Sequence, residues 1–182
     1  LYRIVPGEGG PGNSTLRVIE ALGATPQAVA EIWRFLLDID WTARIEAEFL
    51  PADHPLFFLL ARPRLMRFRV WDAVWVRILD VPRALAARTI GTEDRVVLEI
   101  RDPFCPCNEG RYAVGGGEPA ARTTAPPDLG MEIDALGSVY LGGFTFAELA
   151  RGGRVVELTE RGAARADALF PRERAPWCPE IF

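Results

Sequence analysis

Residues 67–80 read RFRVWDAVWVRILD, the longest stretch of the chain with an extended, alternating pattern. Phe68, Val70, Val74, Val76 and Ile78 share one face at the two-residue period of a strand, and Asp72 falls on that same face. A carboxylate set into an apolar stripe costs desolvation unless it is paired or opens onto water. Two readings follow. Asp72 marks a bend where one unit ends and the next begins, its carboxylate solvated, or it lines a cleft between two lobes. On either reading the chain divides here, into 1–71 and 72–182.

Working back from that point, ARIEAEF (residues 43–49) alternates cleanly, with Ala43, Ile45, Ala47 and Phe49 on the buried side and Arg44, Glu46 and Glu48 outside. Before it, ATPQAVAEIWRFLLDIDW (24–41) switches to a helical period. Val29, Ile32, Trp33, Leu36 and Leu37 form one stripe, with a Thr25 cap and a first-turn Pro26. STLRVIEAL (14–22) alternates again, Leu16 and Val18 facing one way. The opening LYRIVPG reads as a strand entered midway, which predicts that the chain's natural beginning lies elsewhere. LPADHPLFFLLARPR (50–64) is proline-punctuated around a short apolar piece, Leu56 to Leu60.

Working forward, Asp80 and Pro82 open a short helix, and RVVLEIRD (95–102) sets Val96, Leu98 and Ile100 against Glu99 and Arg101. Residues 103–128 are rich in glycine and proline and read as a hairpin with long connections. FTFAELARGG (144–153) carries a strong helix start: Thr145 and Glu148 form a capping box, Phe144 and Leu149 can staple it, and Gly152-Gly153 ends it. A last helix is predicted from about Thr159 to Phe170. The whole reads as α+β, with mixed or antiparallel sheets and flanking helices, and without the regular alternation of a parallel βαβ fold.

The chain has 182 residues, 49% hydrophobic and 25% charged, in the range of a globular protein with ample material for a core. No apolar run is long enough to cross a bilayer and no charged-then-apolar leader opens the chain, so a cytoplasmic protein without a membrane partner is expected. A net charge of −4 argues against nucleic acid and suits a cationic ligand. All basic residues are arginine. Cys105, Cys107 and Cys178 make no disulfide framework, and with His54 as the single histidine they supply no four-ligand zinc site, so free thiols and no metal are expected.

The glycine runs GEGGPGN (7–13) and Gly115–Gly117 lack the strand-before, helix-after setting of a phosphate cradle and read as turns. His54 has no nucleophile or triad pattern near it and reads as a surface loop residue. Trp33, Phe35, Trp41, Trp71 and Trp75 fall at core spacings. The tail is different. APWCPEIF (175–182) ends the chain on stiff, apolar residues, where most termini are polar and loose. Prolines 171, 176 and 179 lower the entropy lost on ordering, and Trp177, Ile181 and Phe182 add apolar area worth roughly 2 kcal/mol for each large side chain buried. A tail so docked is read first as a structural anchor, and alternatively as a catalytic segment that holds its terminal carboxylate in one place. In water that group titrates near about 3.5, a feeble base, but apolar neighbours raise it toward neutral pH.

Taken in order, AEIWRFLLDIDW, DHPLFFLLARPR, WDAVWVRILDVPRALAAR, LGSVYLGG, RADALF and the terminal PWCPEIF resemble the C-terminal half of the Eis (enhanced intracellular survival) acetyltransferases, over nearly the whole chain. The resemblance implies a partial GNAT-like unit, 1–71, followed by a sterol-carrier-protein-like domain, 72–182. It implies an acetyl-CoA-dependent N-acetyltransferase acting on amines of cationic multi-amine substrates, aminoglycoside-like or lysine side chains, in a hexameric assembly. By that likeness the terminal carboxylate of Phe182 is the general base; Glu180, Ile181 and Asp72 are taken as the substrate-binding residues, Glu180 and Asp72 drawing the cation in. Some members carry an acidic residue next to last; Ile181 stands there in this chain and Glu180 precedes it. Acetyl-CoA is expected on an N-terminal domain that these residues do not include, since Tyr2, Tyr112 and Tyr140 lie in no acid-tyrosine motif and no pyrophosphate loop is present. The alternative is a binding module in which the carrier-like domain holds a lipid or other apolar ligand, or a purely structural pair of units.

Overall fold

The computed structural model describes residues 1–88 and 90–180. These form two compact units, Leu1–Ala73 joined by the end of the chain from Trp177, and Val74–Pro176.

In the first unit, β1 (Tyr2–Val5) and β2 (Ser14–Val18) form an antiparallel hairpin with Tyr2 opposite Val18. The glycine run between them is the expected turn; Gly9 and Gly10 hold φ of 95° and 111°, open to glycine at no steric cost. Helix α1 (Pro26–Leu37) then carries the chain over to β3 (Thr42–Ala47), which lies parallel to β2 with Leu16 opposite Ile45. This is one parallel crossover, which the sequence reading did not anticipate. A parallel pair needs a long connection, and the helical stretch 24–41 supplies it.

The Thr25 side chain accepts a hydrogen bond from the Ala28 N–H at 3.1 Å, and Trp33 and Leu36 are buried with Leu16, Val18 and Leu56. Leu37, assigned to the same stripe, is exposed, as are Ala43 and Phe49 of the predicted β3 face. Helix α2 (Leu56–Leu59) is a single turn. His54, expected at the surface, is half-buried: its Nδ1 accepts from the Leu56 N–H at 3.0 Å and its ring meets Trp33 edge-on at 5.6 Å. Burial pushes its pKa below the ordinary histidine value, in keeping with a ring nitrogen that must stay unprotonated to accept.

Residues 67–80 depart most from expectation. Among the described residues this stretch belongs to no strand, and of its apolar face only Ile78 is buried. Alternation states which side chains would share a face, but a strand also needs a neighbour's backbone, and neither sheet offers one here. Trp41, Trp71 and Trp75 are 69, 77 and 85% exposed and Phe35 is exposed too, so of the five aromatic residues assigned to the core only Trp33 packs there.

The second unit opens with α3 (Val81–Ala86), capped as predicted by Asp80, whose carboxylate accepts from the Arg83 N–H at 3.0 Å. A five-stranded sheet follows from β4 (Arg95–Arg101), β5 (Gly110–Gly115), β6 (Glu118–Arg122), β7 (Leu129–Glu132) and β8 (Val155–Glu157), in the order β6-β5-β4-β7-β8. Only β4 and β7 pair in parallel; the other neighbours are antiparallel. Gly115 to Gly117 make the β5–β6 turn with φ of 91°, 74° and 73°, and a side chain on Gly115 would strike the Asp94 carbonyl. Helices α4 (Ile133–Tyr140), α5 (Phe146–Arg151) and α6 (Gly162–Leu169) complete the unit. The Thr145–Glu148 capping box is present. The core joins Leu98, Ile100, Tyr112, Leu129, Leu136, Phe146 and Leu169, each under 2% exposed.

Ionic groups pin this sheet at its margins. Arg165 reaches both oxygens of Asp94 at 2.9 and 3.0 Å and Asp128 Oδ1 at 3.0 Å, while Asp128 accepts from the Val97 N–H at 2.8 Å and the Thr159 hydroxyl at 2.7 Å. The Arg165 hydrogen bond holds the Asp94 carboxyl below its usual range. Burial pushes Asp128 up, but hydrogen bonds from Thr159 and Val97 and the Arg165 charge outweigh it and leave it low. Hydrogen bonds at Thr145 do the same for Glu148. A carboxyl depressed in the folded state adds stability that is present above its unfolded value and lost as pH falls through the folded one. The melting temperature should therefore change little from pH 7 to 5 and drop as pH passes below about 4, where unfolded carboxylates protonate. Thermal melts across that range check this. Asp128→Asn should flatten the fall, and an acid limb unchanged in that variant would remove Asp128 from the account.

Candidate functional site

The final helix ends at Leu169, and the tail takes its root from Phe170. Phe170 is buried and meets Phe146 edge-on at 5.0 Å. The Arg88 guanidinium lies 4.7 Å from the centre of the Phe170 ring and 5.9 Å from that of Tyr140. Arg88 also donates to the carbonyls of Tyr140 and Pro171, and its buried Nε finds no hydrogen-bond partner among the described residues. Burial pushes its pKa down, the Tyr140 side chain opposing. Next, Arg172 donates to the carbonyls of Gly142 and Gly143 at 2.5 and 3.2 Å, closing the turn after α4. On the other side of Phe146, the Asp167 carboxylate accepts from the Phe146 and Ala147 N–H groups at 2.6 and 3.2 Å, at the start of α5. Burial raises the Asp167 pKa, and those two N–H groups pull against it.

Beyond the root, the tail runs without helix or strand through Glu180. In the first unit the Trp177 indole N–H donates to the Phe49 carbonyl, and the Cys178 thiol donates to the Glu180 carbonyl at 3.7 Å. The Phe49 position is a strained one, with φ of 57° at a non-glycine residue. An indole bonded there gives the tail a polar anchor besides its prolines.

Of the residues named from sequence, Asp72 and Glu180 are exposed. Ile181 and Phe182 lie outside the described residues. Sequence reading missed Arg88, Phe170 and Arg172 as the tail's fastening. No periodicity or local motif marks them, because the contacts join positions far apart in the chain.

The glycine runs do not fit acetyl-CoA. Both are hairpin turns; the first enters only a three-residue 3-10 turn, Pro11–Asn13, that opens on a proline without an N–H, and the second runs straight into β6, so neither presents the N-terminus of an α-helix to a pyrophosphate. Among the described residues no three histidine, cysteine, aspartate or glutamate side chains gather as metal ligands.

Comparison with known proteins matches residues 81–179 to a family model for the sterol carrier protein domain and residues 1–78 to one for the acetyltransferase (GNAT) domain. An uncharacterised N-acetyltransferase of Streptomyces avermitilis is 38% identical over 187 residues, covering 100% of this chain and 45% of its own length. The N-acetyltransferase Eis of Mycobacterium tuberculosis is 36% identical, covering 85% of this chain and 38% of its own length. Among solved structures, Eis1 from Mycobacterium abscessus superposes with a TM-score of 0.82 at 35% identity, over 93% of this chain and 44% of that one. A GCN5-related N-acetyltransferase from Anabaena variabilis, at 21% identity and a TM-score of 0.66, supports the fold alone. The chain thus spans less than half the length of the relatives it matches.

Proposed function

The chain belongs to the sterol carrier protein domain family through residues 81–179 and, taken whole, to the Eis N-acetyltransferases, and from that premise we propose that it forms the C-terminal part of an acetyl-CoA-dependent enzyme that acetylates amines of cationic, multi-amine molecules. The observation that carries the proposal is the likeness to Eis1, which covers 93% of this chain at 35% identity. Acetyl-CoA is assigned to the part of the relatives' length that this chain does not span. The group supplies an activated acetyl thioester.

The chain's own contribution is to deliver the amine unprotonated. An ammonium has no lone pair, so its proton must leave before nitrogen can attack a carbonyl carbon. We assign that proton to the terminal carboxylate of Phe182, with Glu180 and Asp72 drawing the cation in and Ile181 as a further substrate contact. Two features support this. Within the second unit the root at Phe170 is buried and fastened by Arg88 and Arg172, and within the first unit Trp177, its ring exposed, is hydrogen-bonded at its indole. The net charge of −4 favours a cationic guest.

The carrier match also raises an apolar-ligand reading. Against it, the space between the second unit's sheet and helices is filled by Tyr112, Leu98, Leu136 and Phe146. Native mass spectrometry of gently purified protein separates the two, since a co-purifying lipid would favour the carrier.

The direct test supplies the full-length protein with acetyl-CoA and a polyamine. Product masses should rise by one acetyl group per modified amine, several on one molecule, and a fully quaternised analogue should stay inert. Thioester hydrolysis without transfer to any amine would end the proposal.

A further inference from the structure

The loop that joins β4 to β5, residues 102–110 (DPFCPCNEG), is built with more care than a connection needs. Asp102 is wholly buried and accepts from the Cys105 N–H at 3.1 Å, Asn108 Nδ2 at 2.9 Å and the Arg77 guanidinium at 2.6 Å. Its own N–H donates to Glu109 at 3.2 Å. Asn108, also buried, accepts from the Val81 N–H at 3.4 Å. From outside, Arg122 donates to the carbonyls of Glu109, at 2.8 Å, and Cys107. Pro106 sits between the cysteines with φ fixed by its ring. This frame holds the Cys105 and Cys107 sulfurs 3.0 Å apart, both as free thiols.

We propose that Cys105 and Cys107 are a modification site: a dithiol that a hydroperoxide oxidises reversibly to a disulfide within the loop. The sulfurs need only about 1 Å of approach to reach a bond of ~2.05 Å. The loop is better shaped for this than for a metal. Two thiolates at 2.3 Å from a tetrahedral zinc stand roughly 3.8 Å apart, and zinc wants four ligands. Neither is met, since no third ligand lies nearby among the described residues.

The order of events follows from exposure. Cys107 is exposed and Cys105 is partly covered. The hydrogen bond with Cys107, burial and the Asp102 charge hold the Cys105 thiol above the usual range, so it is the poorer first attacker. The Cys107 thiolate attacks a peroxide oxygen: an S–O bond forms, the O–O bond breaks, and water or an alcohol leaves with the thiol's proton. Cys105 then attacks the sulfenic sulfur: S–S forms, S–O breaks, and a second water leaves. Two thiols lose two electrons in all, and the peroxide gains them. A small-molecule thiol returns the pair to its reduced form by exchange.

The full chain treated with stoichiometric hydrogen peroxide, then alkylated with N-ethylmaleimide and digested, tests this. Cys105 and Cys107 should both escape alkylation in one peptide that is two hydrogens lighter, and dithiothreitol should restore them, while Cys178 stays reactive throughout. Cys105→Ser should stop at a sulfenic acid on Cys107 that dimedone captures. Cys107→Ser should slow peroxide consumption at least tenfold. Both positions are accessible enough for serine to leave the fold intact, which far-ultraviolet circular dichroism verifies. The proposal is overturned if Cys178 oxidises as fast as the pair, if Cys107→Ser reacts at the original rate, or if the thiols resist peroxide but one equivalent of zinc shields both from alkylation.

Discussion

Phe146→Ala is expected to lower the stability of the second unit by about 4 kcal/mol, the cost of deleting a fully buried aromatic side chain together with the cavity it leaves. The Phe146 ring is wholly buried and lies 5.0 Å from Phe170 in an edge-on pair, an arrangement that adds to burial alone. For a unit of this size, the shift in melting temperature should be roughly 15 °C or more. Phe146→Leu keeps most of the volume and should cost about 1.5 kcal/mol or less. Phe104→Ala is the control: that ring is 85% exposed, touched by the Arg77 guanidinium at 4.8 Å, and its loss should cost no more than about 1 kcal/mol. Calorimetry of the three variants decides it. Equal shifts for Phe146→Ala and Phe104→Ala would mean that burial is not what makes Phe146 matter. The prediction reaches past stability, because Phe170 begins the tail, and loosening its partner frees the segment that the proposed chemistry needs fixed.

The pattern of what could be read from the sequence follows the range of the forces involved. Local devices were legible. The Thr25 cap, the Asp80 cap, the Thr145–Glu148 box and the glycine turns depend on residues within a few positions, and all of them form. The β4 stripe was legible because the residues on that face, Val96, Leu98 and Ile100, are all buried, and Val97 on the other face is buried as well. Residues 67–80 carried an equally clear alternation and failed, because pairing is decided by a partner strand far away in sequence. The same holds for the parallel β2–β3 ladder, where the register of Leu16 against Ile45 is written in neither segment.

The site was legible only in part, for a related reason. Composition singled out the tail as stiff and apolar; Trp177 makes an indole hydrogen bond to the Phe49 carbonyl, but its ring is exposed and not buried as the apolar reading expected. The fastening by Arg88 and Arg172 runs through backbone carbonyls, which every residue has, so no side-chain pattern advertises it. His54 was misjudged for a similar cause. Its Nδ1 serves a backbone N–H two residues on, and its ring leans on Trp33, more than twenty positions earlier.

The largest effect on activity is expected from the far end of the chain. Appending Gly-Ser after Phe182 in the full-length protein converts the proposed base, the α-carboxylate there, into a peptide amide, which cannot take a proton, and moves the free carboxylate two residues further along the chain. Loss of a positioned base lowers turnover by about 10²–10⁴. Acetyl-CoA affinity should stay as it was, because that ligand is assigned elsewhere, and the melting temperature should hold, because the root at Phe170 is untouched. Trp177→Ala provides a graded companion: it keeps the carboxylate but removes the indole bond to the Phe49 carbonyl, so it should slow turnover by less than the extension does. Raising pH should partly rescue the extended protein, since more of the amine is then already neutral, and this marks a lost base as distinct from a lost fold. If the extended protein acetylates a polyamine at the original rate at pH 7, the base must be sought on some other group, and the stiffness of the tail is left as a matter of packing alone.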